Sequence, residues 1–305
     1  MNCLTITVPA SSANIGPGFD SAGMALNRYL TLHVTPNEEW LFEHRSVHLP
    51  QAPSAEDHFI FNIAGKLAGE YRALLPPCKI MVESDIPLAR GMGSSASAVV
   101  AGIELANQLC KLDLNEQEKL QWAAKLEGHP DNVAAALLGG LVITATPSDE
   151  HIEYFQAANI DLDLVLYIPG FELKTEAARK VLPEQFSRSC AASASSIGNM
   201  MVAGLLSGDY ELAGRMMEAD LFHEPYRASL IPNYAEIRRE AKQLGAYGTV
   251  ISGAGPTMIS FAPKGVGQTI VNHLQTMLPD YSVQLVKLDV QGLRVNYHVE
   301  NSVCN

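Results

Sequence analysis

Leu4, Ile6 and Val8 alternate with Thr5 and Thr7, the period-two pattern of a half-buried strand, and Pro9 is placed to end it. Residues 29–35 and 40–49 predict further strands, whereas 59–71 carries helical spacing through Phe59, Ile63, Leu67 and Glu70, with Asp57 as its cap. Lys79-Ile80-Met81-Val82-Glu83 reads as a strand, Pro87 cuts the ladder after it, and a glycine-rich loop and a long helix follow up to Cys110. Asn115 and Glu118 have capping-box spacing and open a helix with Leu120, Ala123, Ala124 and Glu127 in register; Gly128 suits the left-handed position past its end. Residues 141–144 are strand-like. A strand over 162–168 is halted by Pro169, a helix begins at Thr175, and helical runs cover 187–206 and 210–221. Regularity breaks over 223–233. The stretch 248–261 is strand, glycine turn, strand, and the chain closes with a helix over 267–278 and strands at 283–288 and 293–299. A composition change over 147–150 divides the chain into 1–150 and 151–305.

Five places carry candidate chemistry. In Arg90-Gly91-Met92-Gly93-Ser94-Ser95 the glycines let the backbone approach a ligand, and the serines fall where a helix N-cap is expected. The pattern fits either a capped turn or an anion site, because the first amides of a helix lack partners and carry partial positive charge. Neither of the two commonest phosphate loops, Gly-x-x-x-x-Gly-Lys-Ser/Thr and Gly-x-Gly-x-x-Gly, is present. Residues 10–20 are rich in turn formers yet poor in charge, as a loop packed against something would be. Glu127 puts a carboxylate on the last turn of its helix, where the dipole disfavours it, so it is either solvated or compensated by a cation. His129 is either a hydrogen-bonded structural residue or a catalyst. Arg179 and Arg227 are either surface residues or a clamp for a carboxylate.

Composition narrows the partners. With 305 residues, 47% hydrophobic and 18% charged, the chain is an ordinary globular protein of one large or two smaller domains. A net charge of -12 without a Lys or Arg cluster argues against nucleic acid, and a polyanion would have to be held locally by amides, a divalent metal and a few placed cations. Five widely spaced cysteines form no zinc or redox pattern and read as reduced, mostly buried thiols. No signal sequence is visible, and the apolar run over 133–145 is shorter than the ~20 residues of a membrane span, so a soluble cytoplasmic protein is expected.

Pro87-Leu88-Ala89-Arg90-Gly91-Met92-Gly93-Ser94-Ser95-Ala96 resembles the ATP loop of the GHMP kinases, the group that contains galactokinase, homoserine kinase, mevalonate kinase and phosphomevalonate kinase. Two further stretches resemble family motifs: Pro9-x-x-x-x-Asn14-x-Gly16-x-Gly18-Phe19-Asp20, in the form typical of homoserine kinases, and Gly253-Ala254-Gly255-Pro256 within 248–261. His129-x-Asp131-Asn132-Val133 followed by Gly139-Gly140, Thr175-x-x-Ala178-Arg179, and Glu224-Pro225-x-Arg227-x-x-Leu230-Ile231-Pro232 are also similar to homoserine kinases.

The resemblance implies an α+β, two-domain fold with the active site in the cleft between an N-terminal ATP-binding domain, 1–150, and a C-terminal domain, 151–305. It implies ATP as co-substrate, held by Pro87, Leu88, Ala89, Arg90, Gly91, Met92, Gly93, Ser94, Ser95, Ala96 and Ser97, and Mg2+ on Ser95 and Glu127. Asn14, Asp20, His129 and Asn132 would orient an amino-alcohol substrate, and Arg179 and Arg227 would take its carboxylate. Glu127, His129 and Asn132 are the expected catalytic positions. Asn132 stands where mevalonate kinase and galactokinase carry a catalytic aspartate, and an amide cannot accept the hydroxyl proton as a carboxylate does. The expected reaction is ATP-dependent phosphorylation of the L-homoserine hydroxyl, a step towards threonine, without a general-base carboxylate; Asp131 is the nearest group that could contradict this. A GHMP kinase for another alcohol such as mevalonate, and a non-catalytic ATP and metabolite sensor, are the alternatives. A homodimer is expected from the family alone.

Overall fold

The computed structural model of the chain describes residues 3–148 and 151–298. β1 (Cys3–Ala13), β2 (Ala22–Pro36), β3 (Leu41–His44), β4 (Cys78–Ser84) and β11 (Arg294–His298) form a sheet in the order β11-β1-β2-β4-β3. The ribbon of β5 (Leu141–Ser148) and β6 (His151–Ala157) joins this sheet through β2. α2 (Ser94–Cys110) and α4 (Asp131–Leu138) pack on β1 and β2, with α1 (Phe59–Glu70) and α3 (Glu116–Glu127) against α2. A second sheet, β7 (Asp163–Pro169), β8 (Gly248–Ile251), β9 (Met258–Ala262) and β10 (Tyr281–Val286), is antiparallel in the order β10-β7-β9-β8. The mixed helix and sheet content is the expected α+β class.

β7 explains how the two sheets share an interior. Leu164, Leu166 and Ile168 join the core that contains Ile6, Leu32 and Val99, whereas Val165 and Tyr167 face a second core with Ile237 of α9 (Tyr234–Gln243) and Ile270 of α10 (Gly267–Met277). A strand buried on both faces reads as a continuous apolar run, as residues 164–168 do.

Several expectations change. Pro9 does not end β1: the register shifts between Pro9 and Ala10, and pairing with β2 resumes up to Ala13. A bulge is where a strand tolerates a residue without an amide proton. The strand expected over 40–49 shortens to β3, and α1 starts from His58 with no side-chain cap in place of Asp57. α9 was not anticipated; it follows Asn233, which adopts the left-handed region at φ 60°. The break at 223–233 contains the short helix α8 (Glu224–Arg227) and a 3-10 turn over Ala228–Leu230.

Asp149 and Glu150, at the expected domain boundary, lie outside the described residues. The strands on either side of them pair with each other, so the change of sheet comes after Ala157 and before Asp163, and β11 returns the C-terminal end to the first sheet. α6 (Arg188–Ser207) is long and apolar enough to cross a membrane by length and composition, but here it packs on α7 (Tyr210–Met217), with Met201 and Leu205 buried. Of the four described cysteines only Cys78 is buried, fewer than the composition suggested.

Candidate active site

The glycine-rich loop is held from behind. The carbonyls of Ala89, Arg90, Gly91 and Met92 accept in turn from Leu173 N (3.0 Å), Thr257 N (3.3 Å), Ser252 Oγ (2.6 Å) and Ser11 N (3.1 Å). With four successive acceptors engaged by β1 and the second half of the chain, the loop cannot turn its oxygens towards an anion. Gly93, at φ 68°, is the N-cap of α2, and no side chain caps the helix. Ser94 and Ser95 are therefore its first residues and not its cap, which leaves the leading amides for a ligand. A Cβ on Gly93 would lie 2.0 Å from Ser11 Oγ, and one on Gly91 2.4 Å from the Ser252 carbonyl oxygen.

Leu88, Ala89, Gly91, Gly93, Ser94 and Ser95 line a cavity of about 600 Å³. Other residues expected at the nucleotide do not. Pro87, Arg90 and Met92 border a different depression on the reverse side of the loop, where Arg90 donates to the carbonyls of Leu88, Pro169 and Gly170. Arg90 thus ties the loop to β7. Ala96 is buried core, and Ser97 Oγ donates to the carbonyls of Pro9 and Gly93.

Gly128 ends α3 in the left-handed region, and α4 begins at Asp131, so the corner between them gathers Glu127, His129, Asp131 and Asn132 along the cavity. Ser95 Oγ donates to Glu127 Oε2 at 2.9 Å. Burial, the largest influence, raises the Glu127 pKa, while the Ser95 hydroxyl opposes it. This is a carboxylate without an ion-pair partner among the described residues, at a helix end that disfavours its charge, and a divalent cation fits it. Asp20, His129 and Asp131 also bring ligand atoms within 4.8 Å of one another. Their donors are engaged, however: His129 Nδ1 lies 2.7 Å from Asp131 Oδ1, and Asp20 pairs with Arg179.

Asp131 is buried, and its Oδ1 also accepts the Asn132 amide at 2.7 Å. His129 loses basicity by burial, but its bond to Asp131 and the charges of Asp131, Asp20 and Glu127 outweigh that and raise its pKa. Ser11 Oγ donates to Asn132 Oδ1 at 2.8 Å, which fixes the amide with Nδ2 as its donor; one Nδ2 proton makes a long bond to Asp131 Oδ1 at 3.4 Å, and the other is left for a ligand.

At the other end, Asn14, Ile15 and Gly16 follow one another at positive φ, a strained turn in which Ile15 is fully buried. Asn14 Nδ2 donates to the Gly253 carbonyl at 2.8 Å, and its Oδ1 accepts from the Asp20 amide at 3.0 Å. Arg179, on α5 (Thr175–Lys180), grips Asp20 with both terminal nitrogens, at 2.9 and 3.3 Å. Arg227 is 2% exposed, donates from Nε to the Ala178 carbonyl and from Nη1 to that of Gly253, and still lines the cavity. Burial first, then the Arg179 charge, lowers its pKa to about 10, against the opposing charges of Asp20, Asp220 and Glu224, none of which bonds to its guanidinium.

No residue at the apolar end of the cavity is assigned from the sequence. Leu49, Pro50, His58, Phe59 and Ile86 extend it beyond the glycine loop, and burial lowers His58 to about 4. Ser11 and His223 were likewise unassigned, because a serine in a strand and a histidine in a turn carry no signal of their own.

Family models for the GHMP kinases N terminal domain and the GHMP kinases C terminal match residues 58–140 and 201–280. A homoserine kinase of Oceanobacillus iheyensis is 52% identical over 292 residues, 95% of this chain and 98% of that protein, and one of Bacillus licheniformis is 48% identical over 299 residues, 98% and 97% of the two. The crystal structure of homoserine kinase from Cytophaga hutchinsonii superposes with a TM-score of 0.83 at 27% identity, covering 97% of this chain and 98% of that one. The crystal structure of L. major mevalonate kinase in complex with R-mevalonate shares the fold with a TM-score of 0.71 at 18% identity over 94% of this chain and 95% of that one. Two matched domain models and near-complete coverage at about half identity leave one conclusion: the chain belongs to the GHMP kinases, and within them to the homoserine kinases.

Proposed function

We propose that this chain transfers the γ-phosphoryl group of ATP to the side-chain hydroxyl of L-homoserine, giving O-phospho-L-homoserine and ADP in the cytoplasm. The observation that carries the reading is that one cavity is lined both by the leading residues of α2, for a polyphosphate, and by Asp20, Arg179 and Arg227, for a zwitterion. Asp20 and Asn14 would receive the ammonium group, and the two arginines the carboxylate. Substrate charges would take over the Asp20 to Arg179 pair, which is half-exposed and therefore cheap to separate.

Ser95 and Glu127 are the residues that would hold Mg2+, which when bound supplies charge neutralisation on the phosphates. Asn132 Nδ2 and His129 would orient the hydroxyl. The raised His129 pKa favours a ring that donates, and the carboxylate of Asp131 is committed to His129 and the Asn132 amide, so neither residue supports a general base. Phosphoryl transfer, with its loose transition state, needs little activation of the nucleophile, and positioning can contribute about 7–11 kcal/mol. A coupled ADP-release assay across homoserine, mevalonate and galactose tests the proposal. Turnover with homoserine alone is expected; turnover with mevalonate, or nucleotide binding without ADP release, would replace it with a kinase for another alcohol or with a sensor.

A further inference from the structure

A fully buried histidine behind the carboxylate end of the cavity has none of the roles above. His223 precedes α8 and stands between the two segments that carry the amino-acid site. Its Nε2 is 3.0 Å from the carbonyl oxygen of Gly16, in the loop between Asn14 and Asp20, and its Nδ1 is 3.3 Å from Nη1 of Arg227. A guanidinium can only donate, so Nδ1 is an acceptor, and the ring proton is on Nε2, donated to Gly16. Only this neutral tautomer makes both bonds at once. Burial is the largest influence on the ring and lowers its pKa; Asp220 opposes this and Arg227 adds to it.

The surroundings are fixed on both sides. Asp220 Oδ2 accepts the amides of His223 and Glu224, at 2.9 and 2.8 Å, which sets the turn that carries the ring. On the facing side, the Gly16 backbone is packed so closely that a Cβ would lie 2.3 Å from the Met217 carbonyl oxygen. The ring also stacks on Phe19, with centroids 5.6 Å apart, and the Arg179 and Arg227 guanidiniums lie 5.9 and 5.5 Å from the Phe19 centroid. His223 is not among the residues that line the cavity.

We propose that His223 is a positioning residue for the phosphoryl acceptor: by bonding Gly16 and Arg227 together it sets the spacing between the ammonium end of the site and the carboxylate clamp. The inference rests on the homoserine reading. It gives a substrate-selective phenotype, because neither bonded partner touches the phosphate loop. In His223→Leu both bonds go and the KM for homoserine rises about tenfold or more, while kcat and the KM for ATP stay within about threefold. His223→Gln, which keeps one donor and one acceptor, recovers part of that loss.

A double-mutant cycle with Arg227→Lys separates positioning from general loosening. Acting through Arg227, His223→Leu costs little more in the Arg227→Lys background. Thermal melting and ATP binding of each variant report whether the fold is retained. Equal changes in both KM values, or the same KM penalty in both backgrounds, would overturn the inference. A wild-type protein that does not phosphorylate homoserine would instead remove the reading beneath it.

Discussion

Glu127→Gln is expected to make the protein more stable and far less active, a combination that an ordinary surface glutamate would not give. Glu127 closes α3 where the helix dipole disfavours an anion, worth about 0.3–1 kcal/mol, and burial adds to the cost of its charge. A neutral amide removes both terms and can still accept the Ser95 hydroxyl. The net gain is on the order of 1 kcal/mol, a melting shift of roughly 2 °C in a chain of this size. If Glu127 is a ligand for the metal on ATP, kcat/KM falls by about 3 kcal/mol, on the order of a hundredfold.

The sign with pH follows from the raised pKa. The folded protein holds the Glu127 proton more tightly than the unfolded chain, so wild-type stability falls as pH climbs from the ordinary carboxylate range through the folded value. The stability difference between variant and wild type is therefore small at acid pH and complete above the folded pKa. Melting curves across pH, with and without magnesium, and an ADP-release titration in magnesium read both effects. A variant less stable than wild type at neutral pH, or one with unchanged kcat/KM across the titration, would refute the reasoning.

Three further substitutions probe other parts of the site. Gly93→Ala places a Cβ 2.0 Å from Ser11 Oγ at a positive φ, so a loss of about 1–3 kcal/mol in stability and a raised KM for ATP are expected from melting and kinetics. Asp131→Asn weakens a charge-assisted bond to His129; about 1–2 kcal/mol of stability and at most about a tenfold loss of turnover should follow, whereas a thousandfold loss with unchanged melting would identify Asp131 as the base. Asp20→Asn breaks a half-exposed ion pair, so melting should move by less than about 1 kcal/mol while the KM for homoserine rises at least about tenfold; an unchanged KM would remove Asp20 from the ammonium site.

Much of the fold was legible because local chemistry and tertiary structure agree there. The Asn115 and Glu118 box forms as spaced, Gly128 takes the left-handed position, and the stretch 248–261 is a hairpin. The failures fall where long-range packing overrides a local rule. Pro9 reads as a terminator, but a bulge lets β2 pair on both sides of it. The composition change at 147–150 reads as a domain boundary, but β5 and β6 pair across it, a relation no local window contains. α9 was missed because 223–233 hides its start: Asn233 opens it from the left-handed region without a side-chain cap.

The site divides along the same line. Residues whose role is set by backbone or by local spacing, such as Gly93 at the head of α2 and Glu127 at the end of α3, could be picked out in order along the chain. Residues whose role depends on what they meet could not be sorted. Arg90 and Arg227 are both arginines in motif-like stretches, yet Arg90 bonds to backbone behind the loop whereas Arg227 is buried against the cavity. In a chain of net charge -12, a guanidinium 2% exposed with no carboxylate bonded to it is costly to keep, and its bonds to the carbonyls of Ala178 and Gly253 offset only part of that cost. On the proposed reading an anionic ligand would supply the missing partner. On that reading, too, Asp20 would pair with Arg179 when the site is open and with a ligand's ammonium group when it is filled, so that the two charges of one amino acid would replace the two charges of one ion pair.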